Sequence, residues 1–490
     1  MSNAFENMIK LYDMVSVTDF GAKGDGVTND RAAVQAAFNA SKRVYFPSGT
    51  YWMGSYSTSE NIIDLSALGA GISIITDKSV EFVCQTTGNV IPRFFYLFAN
   101  SHFSCGPIRF RDTGYDPLVT WRGAYGFFLE SNASTNWGDV TFESIYGNSM
   151  VGVVAVAGGN ASNRIRGIHI GQLFSDNCYY GFNAQNQGDG VQIDNLIAFQ
   201  NYRPYFVYGV SDHKVKIFNR ANRGASGAVS ISRSPGGLNT TAIDVSYVAR
   251  DQTQGITHVL INHIDLLGGT ISDIKVHVDI ESSTIYTPVR FVNYSGSGGS
   301  ETSAASTNIV KDVTLSGTCD VQANPVSAVA SYANATSKLI FIQGSSFNIE
   351  LALFSLFSVN TDISPISYTP TWASTGTQPA IGNGSLSGYY SISGGMCMVT
   401  VELNIGSTTT TGTGQYSFSL PFASPKTAVG SYYALDNGVA HYAGSTLVAA
   451  GNSTLNAFTN GSAAGVGASA PFAWASGDYL RMTLTYSLIA

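Results

Sequence analysis

Short runs of alternating hydrophobic and polar residues fill the middle of the chain. Ile165–Ile170 reads I-R-G-I-H-I, Val191–Ile197 reads V-Q-I-D-N-L-I, and Val215–Phe218 reads V-K-I-F. Ala242–Val248 (A-I-D-V-S-Y-V), Ile271–Val278 (I-S-D-I-K-V-H-V) and Val310–Leu315 (V-K-D-V-T-L) continue the series. A period of two predicts strands with one buried face. The runs return at intervals of roughly 24 to 28 residues early and at longer ones later, an imperfect period of the solenoid kind. Each coil would bury one row of Ile, Val or Leu and stack its edges on its neighbours. Asn177, Asn201 and Asn219 follow three of the runs. Asn suits left-handed turns, and stacked Asn side chains can bond along a ladder. A large sandwich or propeller is the alternative, and the Asn positions favour the solenoid.

The chain changes texture towards its ends. Val15–Phe38 reads V-S-V-T-D-F-G-A-K-G-D-G-V-T-N-D-R-A-A-V-Q-A-A-F, a strand, a Gly-rich turn and a short helix. Thr28 or Asn29 is placed to cap that helix, Asp30 suits its positive end, and Val34, Ala37 and Phe38 form one apolar face. Gly21, Gly24 and Gly26 read as turn formers, because a phosphate loop would need Gly-Lys-Ser/Thr where Asn29-Asp30 stand. Arg43–Tyr51 (R-V-Y-F-P-S-G-T-Y) reads as a strand broken by a turn. Asn293–Thr307 is Gly/Ser/Thr-rich and predicts a loop, and Thr361–Pro370 predicts a linker. Beyond it, M-C-M-V-T-V-E-L-N-I and Y-S-F-S-L-P-F-A alternate like strands with one buried face.

The D-F-G-A-K-G-D-G-V-T-N-D run followed by F-P-S-G-T-Y resembles the first coil of pectate-lyase-like right-handed β-helices, in particular bacteriophage tailspikes. Trp372, Gly382-Asn383-Gly384, Gly388-Tyr389 and Leu420-Pro421 resemble the small C-terminal β-sandwich of phage tail fibres and tailspikes. Core packing is the plainer account of Trp372. The resemblance implies an all-β protein: an arm over 1–15, a helix-capped right-handed parallel β-helix over 16–358, and a C-terminal β-sandwich over 359–490 that serves trimer assembly or glycan contact.

Composition narrows the classes. The chain has 490 residues, 52 Gly, 44% hydrophobic and only 12% charged residues, which suits many short strands and argues against disorder. A net charge of −7 argues against nonspecific nucleic-acid binding. Cys84, Cys105, Cys178, Cys319 and Cys397 are scattered without CxxC pairing, so they read as small buried apolar residues, not as a metal site. No secretory signal shows at the start. Val151–Val156 and Leu351–Phe357 are too short to span a membrane, so no membrane insertion is expected. No cofactor is called for.

Chemistry concentrates in one strand. Lys275, His277, Asp279 and Glu281 alternate with Ile274, Val276, Val278 and Ile280. With the apolar set inside, four ionisable groups stand in one outward row, about 6.6 Å apart along the strand with coils about 4.8 Å apart. Those spacings match the two carboxyls of glycoside hydrolysis, one acting as acid and the other as base or nucleophile. Asp279 and Glu281 are the candidate pair, and His277 would hydrogen-bond the pair or a sugar hydroxyl. An ordinary solvated strand face is the plain alternative. Asp244 and Asp251 lie one coil earlier as further candidates. Asp189 reads as a turn former and Asp194 as solvated. Arg203, Lys214, Lys216, Arg220, Arg223, Arg233 and Arg250 crowd the mid-solenoid of an acidic chain. That bias suits an anionic polysaccharide, with Arg203, Arg233, Arg250 and Lys275 as binding cations. Tyr205, with Tyr202, Phe206 and Tyr208, would offer rings on which sugars stack. No nucleophile elbow or zinc-protease helix is present.

The resemblance implies a homotrimeric phage tailspike that depolymerises a bacterial capsule or O-antigen, sits in the virion tail after assembly in the host cytoplasm, and meets other tail proteins through a short arm. Glycoside hydrolysis is the first expectation. A lyase using Arg250 or Arg233 as neutraliser and His277, Lys275 or Tyr247 as base is the second, and a non-catalytic receptor-binding spike is the third.

Overall fold

In the computed structural model the described residues run from 13 to 488, apart from 99–101, 118–121, 131–138, 158–164, 187, 222–225, 234–238, 253–256, 265, 297–298, 320–322, 325, 330–337, 344–358, 363–364, 394 and 460–464. Leu351–Phe357 and residues 1–12 of the arm therefore lie outside the description. The chain divides into two compact units, Met1–Thr336 and Ser337–Ala490.

The first unit is a right-handed parallel β-helix. Its broad wall starts as two ladders. Arg43–Phe46, Ile72–Thr76 and Phe103–Cys105 pair in parallel, and so do Gly49–Tyr56, Val80–Thr86 and Ile108–Asp112. Both ladders run into Val140–Asn148, whose first half pairs with Phe103–Cys105 and whose second half pairs with Ile108–Asp112. Below that merger each coil contributes one long strand: Arg166–Asp176, Asp189–Phe199, Ser211–Arg220, Thr240–Gln252, Gly269–Ser282 and Asn308–Cys319. A ten-stranded parallel sheet from Asn61–Asp64 to Ser327–Val329 closes the other side. Ile168 pairs with Val191, Val191 with His213, His213 with Ile243, Ile243 with Ile274 and Ile274 with Val313, so the coils lengthen down the chain.

The core is the lumen. Near the start it is aromatic: Phe82 stands 5.2 Å from Phe46, 5.1 Å from Phe95 and 5.9 Å from Phe110, ring to ring. Further down, Ile274, Val276, Val278 and Ile280 are buried. Each such side chain stabilises the fold by about 1.5–3 kcal/mol relative to exposure.

The helix Arg31–Ala40 closes the open end, burying Val34, Ala37 and Phe38 as expected, with Phe38 6.1 Å from both Phe46 and Phe95. Its cap is in part the expected one. Asp30 is the N-cap residue: its carbonyl accepts from Val34 N (2.9 Å), but its side chain makes no cap bond. Its buried carboxylate instead accepts from Lys23 N (2.7 Å) and Gly24 N (3.0 Å), tying the Gly-rich turn to the helix start. Asn29 accepts from Arg31 N (3.1 Å).

Corners between strands use left-handed backbone. Ser149, Asn177, Gln200 and Ala221 all have φ between 50° and 55°. Of the three Asn residues singled out, only Asn177 occupies this turn. Asn201 and Asn219 are fully buried. Asn201 accepts from Cys178 N (2.8 Å) and donates to Ser175 O (2.9 Å), and Asn219 donates to the Tyr247 hydroxyl (2.8 Å), so they bind coil to coil from inside. All five cysteines are free, and Cys84, Cys105, Cys178 and Cys397 are buried. The Asn293–Thr307 loop is held by Arg290, whose guanidinium donates to Glu301 at 2.7 and 2.8 Å.

The second unit carries one continuous nine-stranded sheet, antiparallel throughout, curled into a half-barrel. Tyr390 meets Phe422 at 5.2 Å and the Tyr486 hydroxyl donates to Phe422 O (3.0 Å), joining strands that are not neighbours in the sheet. The expected linker is part of this sheet: Ile366–Tyr368 pairs with Gly388–Tyr390. Trp372 stacks on Phe418 (6.4 Å, 4°), which is core packing. Strands Lys338–Gln343 and Val359–Asp362 pair in parallel within the same unit.

Candidate active site

Gly269–Ser282 delivers the expected row. Lys275, His277 and Glu281 are exposed and Asp279 is half-buried, while the four alternating aliphatic residues are inside. Parallel register sets their neighbours. Lys275 lies between Asp244 and Thr314, His277 between Ser246 and Ser316, and Asp279 between Val248 and Thr318.

Arg250 organises the cluster from the preceding coil. Its guanidinium donates to Asp279 Oδ2 at 2.6 Å and to the Asp279 carbonyl at 2.9 Å, anchored by Ala249 O at 2.9 Å. Its Nε lies 3.5 Å from Glu281 Oε2. The Thr318 hydroxyl donates to Asp279 Oδ1 (2.8 Å). Arg250, and after it Thr318, hold the Asp279 carboxyl below the usual carboxylate range against partial burial. Asp279 is therefore a fixed anion at neutral pH. Glu281, with 77% of its side chain exposed, is the more open of the two carboxyls. His277 Nδ1 shares a hydrogen bond with Ser316 Oγ (3.0 Å). Thr318 and Ser316 went unnoticed in the sequence. Stepping across register from Asp279 and His277 to the V-K-D-V-T-L strand and its continuation would have found them.

Other candidates fall elsewhere. Asp244 faces outward between Lys214 and Lys275, within the same face. Asp251 lies on the strand Thr240–Gln252, but its side chain is outside the description. Tyr205 is not a sugar platform: it is fully buried in the lumen and shares a 2.6 Å hydrogen bond with His213. Tyr247 is likewise inside, bonded to Asn219 and His258, and is no surface base. Arg233 is buried on the ten-stranded sheet, against Gly269. Arg203 lies on that same sheet, above the rings of Tyr202 (5.8 Å) and Phe206 (5.5 Å), and does not join the Asp279 row. Asp189, expected as a turn former, instead opens the strand Asp189–Phe199, and its buried carboxylate accepts from the backbone and hydroxyl of Ser211 on the next coil. Asp194 is bound by His169 (2.9 Å) and Gln192 (2.6 Å). Among the described residues no group of three His, Cys, Asp or Glu is arranged to hold a metal ion, and no helix is long and apolar enough to cross a membrane.

Residues 14–97, the helix-capped first coils, match the family described as Rhamnogalacturonase A/epimerase, pectate lyase-like. A Mu-like prophage FluMu defective tail fiber protein from Haemophilus influenzae is 36% identical over 129 residues, 25% of this chain and 20% of that protein. The tail spike protein of an Escherichia phage is 52% identical over 46 residues, 9% of this chain and 6% of that one. The first coils are thus similar to pectate-lyase-like proteins, and short stretches of the chain are similar to phage tail fibre and tail spike proteins. The chain spans a fifth or less of the length of these two relatives. The Dettilon tailspike protein (gp208) covers 98% of this chain, and this chain 95% of it, at 13% identity and a TM-score of 0.32.

Proposed function

We propose that this chain is of the tailspike type and binds and cleaves a bacterial surface polysaccharide, a capsule or O-antigen, by glycoside hydrolysis. The observation that supports this reading is the shared guanidinium of Arg250. It fixes one carboxylate, Asp279, as an anion and leaves a second, Glu281, beside it on an open face. Two carboxyls in unlike environments are what acid-assisted glycoside cleavage requires. Glu281 is assigned the proton donor to the leaving oxygen. Asp279 is assigned the anion that activates water or stabilises the oxocarbenium-like sugar. Lys275 and His277 bind hydroxyl or carboxylate groups beside them. No cofactor enters these steps.

A lyase reading keeps a specific footing, since Arg250 is placed to neutralise a uronate carboxylate and His277 stands nearby as a base. The products separate the two. Hydrolysis releases new reducing ends without ultraviolet absorbance, whereas elimination yields an unsaturated, absorbing sugar. A polymer digest that gains reducing ends and no absorbance supports hydrolysis, and a rise in absorbance overturns it.

The setting of the activity is part of the same proposal. The β-helix is assigned to 16–358 and the C-terminal unit to assembly of a homotrimer or to glycan contact. The arm over 1–15 is assigned to other tail proteins of the virion.

A further inference from the structure

The outward row through Asp279 has a distinct character in the coils before it. Following register backwards from Asp279, it runs Val248, Phe218, Ile197, Phe174, Tyr146 and Arg109. Five successive coils thus place a nonpolar or aromatic side chain on a solvent-facing position. All are half-buried except Phe218, which is 42% exposed. The row beside it is polar, with Ser144, Gln172 and Asn195 in register and, lower down, Lys216, Ser246, His277 and Ser316. A narrow apolar strip with polar borders is a surface that something covers.

Charge says what covers it. Lys216 and Arg220 stand two residues to either side of Phe218 on the same strand and project to the same side. At the far end, Arg109 lies over the Tyr146 ring at 5.4 Å, and Tyr146 and Phe174 stand 6.2 Å apart. A concavity of about 290 Å³ opens there, lined by Lys78, Arg109, Ser144, Tyr146 and Phe174. Rings for the flat faces of sugars, cations for carboxylates and hydroxyls for hydroxyls are thus threaded on one line that ends at Arg250, Asp279 and Glu281.

We infer that this strip is a binding track for a carboxylated glycan lying along the solenoid axis, with its far subsite in the Lys78–Arg109–Tyr146 concavity. The inference rests on the polysaccharide reading of the Arg250 cluster and adds the substrate class, the direction and the length of the bound segment. At about 4.8 Å per coil, Phe218 lies roughly 10 Å from Asp279 and Tyr146 about 24 Å away. One sugar unit advances by about one coil step. A short oligosaccharide held at the carboxyls therefore reaches Phe218 but not Tyr146.

The test is affinity electrophoresis of the full chain bearing Glu281→Gln, against a panel of purified carboxylated capsular polysaccharides. Size-fractionated oligosaccharides of the polymer that binds, and its carboxyl-reduced neutral form, complete the series. The expected result is binding of a carboxylated polymer that weakens about tenfold or more on carboxyl reduction. Phe218→Ala should weaken trisaccharide and heptasaccharide alike by about tenfold, and Tyr146→Ala only the heptasaccharide. Phe218→Tyr, which keeps the ring, should restore binding and shows that the Ala effect is not misfolding. Failure of any carboxylated polymer to bind, indifference to carboxyl reduction, or the same length dependence for both Ala variants would overturn the track. Cleavage is read separately in the chain with Glu281 restored, so a track that binds a polymer broken by elimination would leave this inference standing and remove the hydrolysis.

Discussion

The two walls of the solenoid treat the same residue types in opposite ways. On the broad sheet, Gly269–Ser282 alternates buried and outward positions down its length from Ile274. On the ten-stranded sheet, Thr257–His263 is buried at every position. Polar residues on the first wall, Lys275, His277, Asp279 and Glu281, meet solvent. Polar residues on the second, His258, Asn262, His263 and Arg233, are buried. Part of the second wall is covered by its own aromatic cluster, in which Tyr125, Tyr180 and Phe206 pack with Phe128, Tyr179 and Tyr208. Between these two strands, the polar side chains from Lys275 to Glu281 face solvent, whereas those of Thr257–His263 are turned to internal bonding.

The largest expected break in that contrast is Tyr205→Ala. It removes a buried ring and the partner of His213, so a loss of about 3–5 kcal/mol is expected, read as a large fall in melting temperature. Asp244→Ala, on the exposed face of the broad sheet, should stay within about 0.5 kcal/mol. Gly317→Ala comes next. Its φ is +118° and a Cβ would sit 1.7 Å from Val278 O, so the Asp279 strand or its neighbour must shift. A loss of about 1–3 kcal/mol is expected from thermal unfolding.

Acid sharpens the comparison. Burial pushes His263 down to about 3, so it is neutral when folded, while the unfolded chain takes up its proton near 6.5. Because the folded value is the lower one, its contribution is fully present above about pH 6.5 and is lost as pH falls towards 3. His263→Gln should flatten that part of the melting-temperature profile between pH 6.5 and 4. The smallest effect is expected from Arg250→Met. Loss of its cation lets the Asp279 carboxyl rise towards the ordinary carboxylate range, moving the acid limb of activity to higher pH.

The broad wall was legible because its strands are long and, from Ile274 to Glu281, keep a period of two that assigns every side chain to a face. The helix cap and the coil repeat were legible for similar reasons of pattern. N-Y-R-P-Y-F-V-Y has no such period, since rings stand at 202, 205, 206 and 208. Nothing local tells that Tyr205 aligns with Phe182 and Val229 inside the lumen, because that is a matter of register between coils. The same limit hid Arg250's reach across to Asp279 and the contributions of Ser316 and Thr318.

The central claim is that Asp279 and Glu281 do the cutting. Size-exclusion chromatography of a polysaccharide degraded by the parent chain, after treatment with Asp279→Asn and Glu281→Gln singly, tests it most directly. The account predicts that each variant keeps its melting temperature and leaves the polymer at nearly full length, with cleavage down at least about a hundredfold. Cleavage at the parent rate by both variants would contradict it.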